Sequence, residues 1–127
     1  MSIDNNLYEK SIKILTDLIA FKTISGQDNS NLIDYCEKIL NNIGIDTFKV
    51  YDDDKKRVNL FGTLKAKNQS TKKPIILSGH TDVVPVSKGW SSDPFVATIK
   101  NDKLYGRGSC DMKGFIACTL AYAPIFK

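Results

Sequence analysis

The chain holds a single histidine, and the residues around it are of the types that hydrolytic and metal chemistry use. His80 lies in the string Ser78-Gly79-His80-Thr81-Asp82, directly after the apolar run Pro74-Ile75-Ile76-Leu77. Asp82 is close enough along the chain for its carboxylate to reach one imidazole nitrogen. Such a pairing selects the tautomer and leaves the other nitrogen free for a metal. The same residues also suit a histidine that is simply satisfied by a neighbouring aspartate. A second cluster runs from Gly106 to Gly114 and places three glycines, Gly106, Gly108 and Gly114, around Asp111. Glycines at that density indicate a tight turn with close backbone approach. Asp111 sits where a strand would lead into a helix, as a helix cap or as a metal ligand. The spacing matches neither the dinucleotide-binding nor the phosphate-loop pattern. Cys110 with His80 as its base would make a cysteine nucleophile, but Asp82 and the glycine turn would then have no purpose.

These groups need elements to position them. Leu7, Ser11, Ile14, Leu15 and Leu18 fall on one helical face, with Ser2 or Asp4 as cap, and that helix should stop before Thr23-Ile24-Ser25-Gly26. A second helix carries Leu32, Cys36, Ile39, Leu40 and Ile43, with Asn29 or Ser30 as cap and Gly44 as its terminating glycine. Residues 45–51 and 58–64 read as paired strands. The run Asp52-Asp53-Asp54-Lys55-Lys56-Arg57 is their turn, since a calcium loop needs alternating ligands and a closing Glu. A loop is expected at 68–73. Pro74–Gly79 then has the continuous apolar character of a central strand buried on both faces, which would put His80 at its carboxyl end. Residues 96–99 and 103–105 flank Asn101-Asp102 as a small hairpin, and 114–122 suits a helix up to Pro124. Helix, helix, hairpin, buried strand, helix is an α/β order.

Composition restricts the function further. The 127 residues are 42% hydrophobic and 25% charged, as in one globular domain. The net charge of +4 comes from lysines scattered along the chain, of which Lys65, Lys67, Lys72 and Lys73 form the densest group. No basic face or nucleic-acid motif emerges, so no nucleic-acid partner is expected. No apolar run reaches membrane-span length, and the polar start of the chain has no secretory leader. The three cysteines, Cys36, Cys110 and Cys118, have no metal-finger or redox spacing. Cys36 and Cys118 sit in apolar helical patterns and are expected as buried thiols. A reducing, cytoplasmic location follows as an expectation.

Residues 75–117 resemble the metal-binding half of the zinc-dependent amidohydrolases that include acetylornithine deacetylase, succinyl-diaminopimelate desuccinylase, aminoacylase and glutamate carboxypeptidase. The matching strings are Ser-Gly-His-Thr-Asp-Val-Val-Pro-Val at 78–86, Gly-Trp at 89–90, Asp-Pro-Phe at 93–95 and Leu-Tyr-Gly-Arg-Gly-Ser-Cys-Asp-Met-Lys-Gly-Phe at 104–115. Cys110 and Phe115 look most like the acetylornithine deacetylases. The resemblance implies an α/β zinc-exopeptidase-like catalytic domain with a central mixed sheet flanked by helices, of which residues 1–127 would be the N-terminal part. It implies that His80 binds one zinc ion, that Asp111 bridges it to a second, and that Asp82, a member of the catalytic set, orients His80. It also implies a cis peptide bond at Asp111–Met112. Two zinc ions about 3.5–4 Å apart, with cobalt as a substitute, would share a water and lower its pKa towards roughly 7. The resulting hydroxide would attack the amide of an N-acyl amino acid, a small-molecule substrate. The family's general-base glutamate, its further ligands and its second, dimerising domain come later in the chain. The 127 residues are therefore expected to be inactive alone, and the complete protein to be a homodimer. The reading from another class is a non-catalytic module that binds a small molecule or pairs with another subunit.

Overall fold

A computed structural model describes residues 5–66 and 73–126. The expected caps Ser2 and Asp4 and most of the expected loop at 68–73 lie outside the described residues, as does Lys67.

Helix α1 (Asn5–Ala20) turns Ile14, Leu18 and Ile19 inward, and α2 (Ser30–Asn42) buries Leu32, Ile33 and Cys36. Both follow from the expected apolar stripes. Asn29 occupies the N-cap position of α2 without capping it through its side chain. Asp28 Oδ1 instead accepts the Ser30 N–H at 2.7 Å. The Asn29 amide is used elsewhere: its Oδ1 accepts the Val58 N–H, and its Nδ2 donates to Val58 O and Thr81 Oγ1. Gly44 ends α2 at φ +71°, with its N–H on Asn41 O and the Ile45 N–H on Leu40 O. That pair of bonds satisfies two of the carbonyls a helix end leaves open.

Strands β1 (Asp46–Tyr51) and β2 (Val58–Thr63) form an antiparallel pair in which Phe48 faces Phe61, their rings stacked at 4.7 Å. Val58 and Leu60 lie on the other side, against the core. The turn between the strands is closed by Asp52, which accepts the Lys56 and Arg57 N–H groups and pairs with the Arg57 guanidinium at 2.7 Å. Strands β3 (Thr98–Lys100) and β4 (Lys103–Tyr105) form a second antiparallel pair. Asn101 and Asp102 both have positive φ between them, as a tight hairpin turn requires.

Helix α3 (Gly114–Phe126) packs along α1 and turns Ala117, Leu120 and Ala121 into the core. Its remaining sides are apolar too: Phe115, Tyr122 and Ile125 are exposed. This corrects one expectation. Cys118 is exposed rather than buried, because a helix apolar on every side does not reveal which side meets the core.

A second expectation also fails. Among the described residues Pro74–Gly79 belongs to no strand, and Ile75 and Ile76 are 90% and 82% exposed. Its inner side lies against α3, where a Cβ on Gly79 would come within 3.1–3.3 Å of Met112, Ile116 and Phe115. Nothing among the described residues covers its outer side. Apolar character predicted burial on both faces, but burial needs partners on both. The α/β class holds, with three helices and two separate two-stranded antiparallel sheets among the described residues.

Candidate functional site

The site is built around the stretch 80–84, and three further chain segments hold it. The first is the linker after α1. The Val83 N–H donates to Thr23 O at 2.8 Å, and the Ser25 N–H donates to Val83 O at 2.9 Å. These flank a parallel bridge between Ile24 and Val83. Thr23 Oγ1 adds a 2.6 Å bond to Thr81 O. The stretch carrying His80 and Asp82 is thus tied to a linker more than fifty positions earlier.

The glycine turn is the second segment. Gly108 has φ +81°, and a Cβ there would come within 2.5 Å of Val83 Cγ1. Only glycine suits both the backbone and the contact. The Lys113 N–H closes the turn on Gly108 O at 2.8 Å, and Asp111 and Met112 are held in non-helical conformations at its bend. The peptide bond joining them is cis.

Lys113 anchors the turn from within. Its side chain is fully buried, and Nζ donates to Leu18 O and Phe21 O, at 2.9 and 2.7 Å, at the end of α1. Burial pushes the ammonium down to about 8. Sequence reasoning missed this residue, although a lysine entering the first turn of an apolar helix, where the dipole disfavours a cation, was a usable signal.

The third segment is the loop ahead of β3. The Arg107 N–H donates to Pro94 O, and its guanidinium stacks over Trp90 at 5.2 Å, which holds the loop to the glycine turn. Asp93 closes a local turn by accepting the Phe95 N–H.

An open cleft of about 240 Å³ results, lined by Ser25, His80, Asp82, Arg107, Cys110 and Asp111 among others. The His80 and Asp111 side chains, 31 positions apart, meet there: Nε2 lies 3.0 Å from Asp111 Oδ1. On the other side of the ring, Nδ1 is 3.1 Å from Asp82 Oδ1 and 3.0 Å from the Asp82 backbone carbonyl. The contact between Asp82 and the ring is therefore as expected, but the carbonyl shares it, which side-chain reasoning cannot foresee. Acceptors on both sides favour the charged ring, and the His80 pKa is raised, first by the hydrogen bond to Asp111. Asp82 is lowered, first by a hydrogen bond from Ser25 Oγ to Oδ2 at 2.5 Å. Ser25 was not singled out in the sequence. It lies 57 positions from Asp82, and no local pattern links the two.

Among the described residues, no group of three or more His, Cys, Asp or Glu side chains is placed to hold a metal ion. Cys110 lines the cleft beside Asp111. Its sequence reading as a nucleophile would need His80 as base, and both ring nitrogens of His80 already face aspartate oxygens.

Residues 76–127 match the model of peptidase family M20/M25/M40. The chain is 40% identical over 109 residues to an acetylornithine deacetylase of Myxococcus xanthus, covering 84% of this chain and 28% of the relative. It is 40% identical over 116 residues to a succinyl-diaminopimelate desuccinylase of Rickettsia akari, covering 87% of this chain and 29% of the relative. The fold is similar to that of human carnosine dipeptidase 1, with a TM-score of 0.76 at 23% identity over 98% of this chain and 30% of that one. The chain thus spans under a third of the length of these relatives. No helix among the described residues is long and apolar enough to cross a membrane.

Proposed function

We propose that residues 1–127 form the N-terminal part of the catalytic domain of a metal-dependent amidohydrolase, and that His80 and Asp111 hold a metal ion in the cleft. The observation that carries this is the 3.0 Å approach of His80 Nε2 to Asp111 Oδ1. Two donors on one tetrahedral zinc, with bonds of about 2.0–2.1 Å, stand roughly 3.3 Å apart. An imidazole nitrogen and a carboxylate oxygen are also the donor types zinc takes. A zinc centre draws three or more ligands from protein, so the remaining donors would come from outside the described residues.

When bound, the metal supplies Lewis acidity toward an amide carbonyl and lowers the pKa of a coordinated water. The residues of this chain prepare for that. Asp82 and its carbonyl hold the Nδ1 proton of His80, which leaves the Nε2 lone pair directed at the metal position. The glycine turn fixes the Asp111 backbone, and the cleft is open enough to admit a small N-acyl amino acid. A general base is still needed, and Asp82 is already engaged by Ser25 and His80. The chain alone should therefore not turn over substrate.

The substrate we favour is N-acetylornithine. Cys110 before Asp111 and Phe115 after Lys113-Gly114 support it. Relatives of similar identity carry the desuccinylase name, so N-succinyl-diaminopimelate is the second reading.

The test is calorimetric titration of the chain with zinc and cobalt, alongside His80→Ala and Asp111→Ala. Weak binding that both variants abolish is the expected result. A chain that binds neither metal, or binds equally without His80, refutes the site. Hydrolysis of the two substrates is measured in parallel. Zinc-dependent turnover that His80→Ala removes would refute the assignment of the missing donors and base to residues elsewhere.

A further inference from the structure

We propose that Ser25 is a positioning residue for His80, acting through Asp82, so that the site is a relay of three side chains, Ser25–Asp82–His80. The consequence for metal binding rests on the reading above, but the geometry of the relay does not.

Ser25 belongs to neither sequence cluster. The linker ladder brings it to the cleft: the Val83 N–H on Thr23 O, the Ser25 N–H on Val83 O, and the Ile24–Val83 bridge between them. With its backbone so placed, Ser25 Oγ donates to Asp82 Oδ2 at 2.5 Å, while Asp82 Oδ1 stands 3.1 Å from His80 Nδ1. The other acceptor within reach of the hydroxyl, Val83 O, is farther at 3.3 Å. A hydroxyl donating to a carboxylate is a charge-assisted bond, stronger than its neutral counterpart.

The bond matters because the Asp82 side chain is half-exposed, and Ser25 is the side-chain donor that holds Oδ2. Released from Ser25, the carboxylate is free to rotate toward water, and the Asp82 carbonyl is left as the sole partner on that side of the ring. A neutral imidazole has one ring proton, and here acceptors wait at both nitrogens, Asp82 at Nδ1 and Asp111 at Nε2. Ser25 holds Asp82 in place as the acceptor for Nδ1–H, in competition with Asp111 as the acceptor for Nε2–H. The tautomer protonated on Nδ1 is the one a metal at Nε2 requires.

His80 is the sole histidine, so nitrogen-15 labelling of histidine reads one ring without ambiguity. In the metal-free chain, at alkaline pH where the ring is neutral, the two ring-nitrogen shifts give the tautomer ratio. The ratio measures how well Asp82 at Nδ1 competes with Asp111 at Nε2 for the ring proton. Ser25→Ala should move the ratio toward Nε2 by roughly 3–10-fold, and Ser25→Thr should restore it. In a zinc titration, Ser25→Ala should weaken binding by roughly tenfold, the low end of losses from groups behind a ligand. Amide spectra unchanged outside 23–25 and 80–83 would show that the fold is intact. Should the alanine variant fail to fold, Ser25→Thr against Ser25→Val isolates the hydroxyl at equal shape. A wild-type tautomer ratio in Ser25→Ala or Ser25→Val overturns the proposal, as does failure of folded Ser25→Thr to restore it. If wild type binds no zinc, the metal site is refuted, yet the tautomer ratio still decides the role of Ser25.

Discussion

Three glycine-to-alanine substitutions, one in the linker after α1 and two in the turn that carries Asp111, should separate backbone strain from steric contact. Gly26 has φ +85°, and a Cβ there would meet nothing within 4 Å. Gly106 has no positive φ, but its Cβ would fall 2.7 and 2.9 Å from Ile19, a fully buried side chain. Gly108 combines both, with φ +81° and a contact of 2.5 Å to Val83. Val83 cannot yield easily, because its backbone is bonded to Thr23 and Ser25. Placing an alanine in the left-handed region costs about 1–2 kcal/mol. Overpacking a buried contact costs about 1–3 kcal/mol. Gly26→Ala should therefore lose about 1–2 kcal/mol and Gly106→Ala about 1–3 kcal/mol. Gly108→Ala should lose the sum, roughly 2–5 kcal/mol, a large part of the roughly 5–15 kcal/mol that holds a typical domain. At a few degrees per kcal/mol for a chain of this length, Gly108→Ala should melt roughly 8–20 °C lower. Urea unfolding followed by circular dichroism gives the three values on one scale. A Gly108→Ala chain no less stable than Gly26→Ala would refute the claim that the turn is packed against Val83.

His80 should titrate above its ordinary 6.5, and Asp111→Asn should bring its NMR midpoint down, since the Asp111 bond is the first cause of the shift. The stability this ring contributes is then fully present below pH 6.5 and lost as pH rises through the raised folded value; a midpoint unmoved by Asp111→Asn would contradict the pairing. Lys113→Ala should cost roughly 3–5 kcal/mol, from a cavity at a fully buried side chain and the loss of two bonds, to the Leu18 and Phe21 carbonyls. Lys113→Met, which keeps the packing and buries no charge, should cost less than half of that in the same urea assay, and equal losses would show that packing is not the main term. A thiol reagent at neutral pH should modify Cys110 and Cys118 quickly and Cys36 slowly, because burial pushes the Cys36 thiol up to about 12. Three equally fast cysteines, counted by mass spectrometry, would mean that the core opens readily.

Local information carried much of this structure. The apolar stripes of α1 and α2, the ending of α2 at Gly44, and both hairpins are consequences of side-chain spacing and turn residues within a few positions. The contact of Asp82 with His80 was legible for the same reason, because the two stand two positions apart, and that spacing suits a satisfied histidine as well as a metal ligand. Tertiary structure alone decided how His80 and Asp111 meet. The 3.0 Å approach of His80 to Asp111 spans 31 positions and depends on the glycine turn fitting against Val83 and on Lys113 reaching the end of α1. Ser25 enters the cleft only because its linker pairs with Val83. The same limit explains the two failures. Apolar character marks Pro74–Gly79 and Cys118 as suited to burial, but whether a surface is covered depends on which other segments pack over it, and residue type does not encode that.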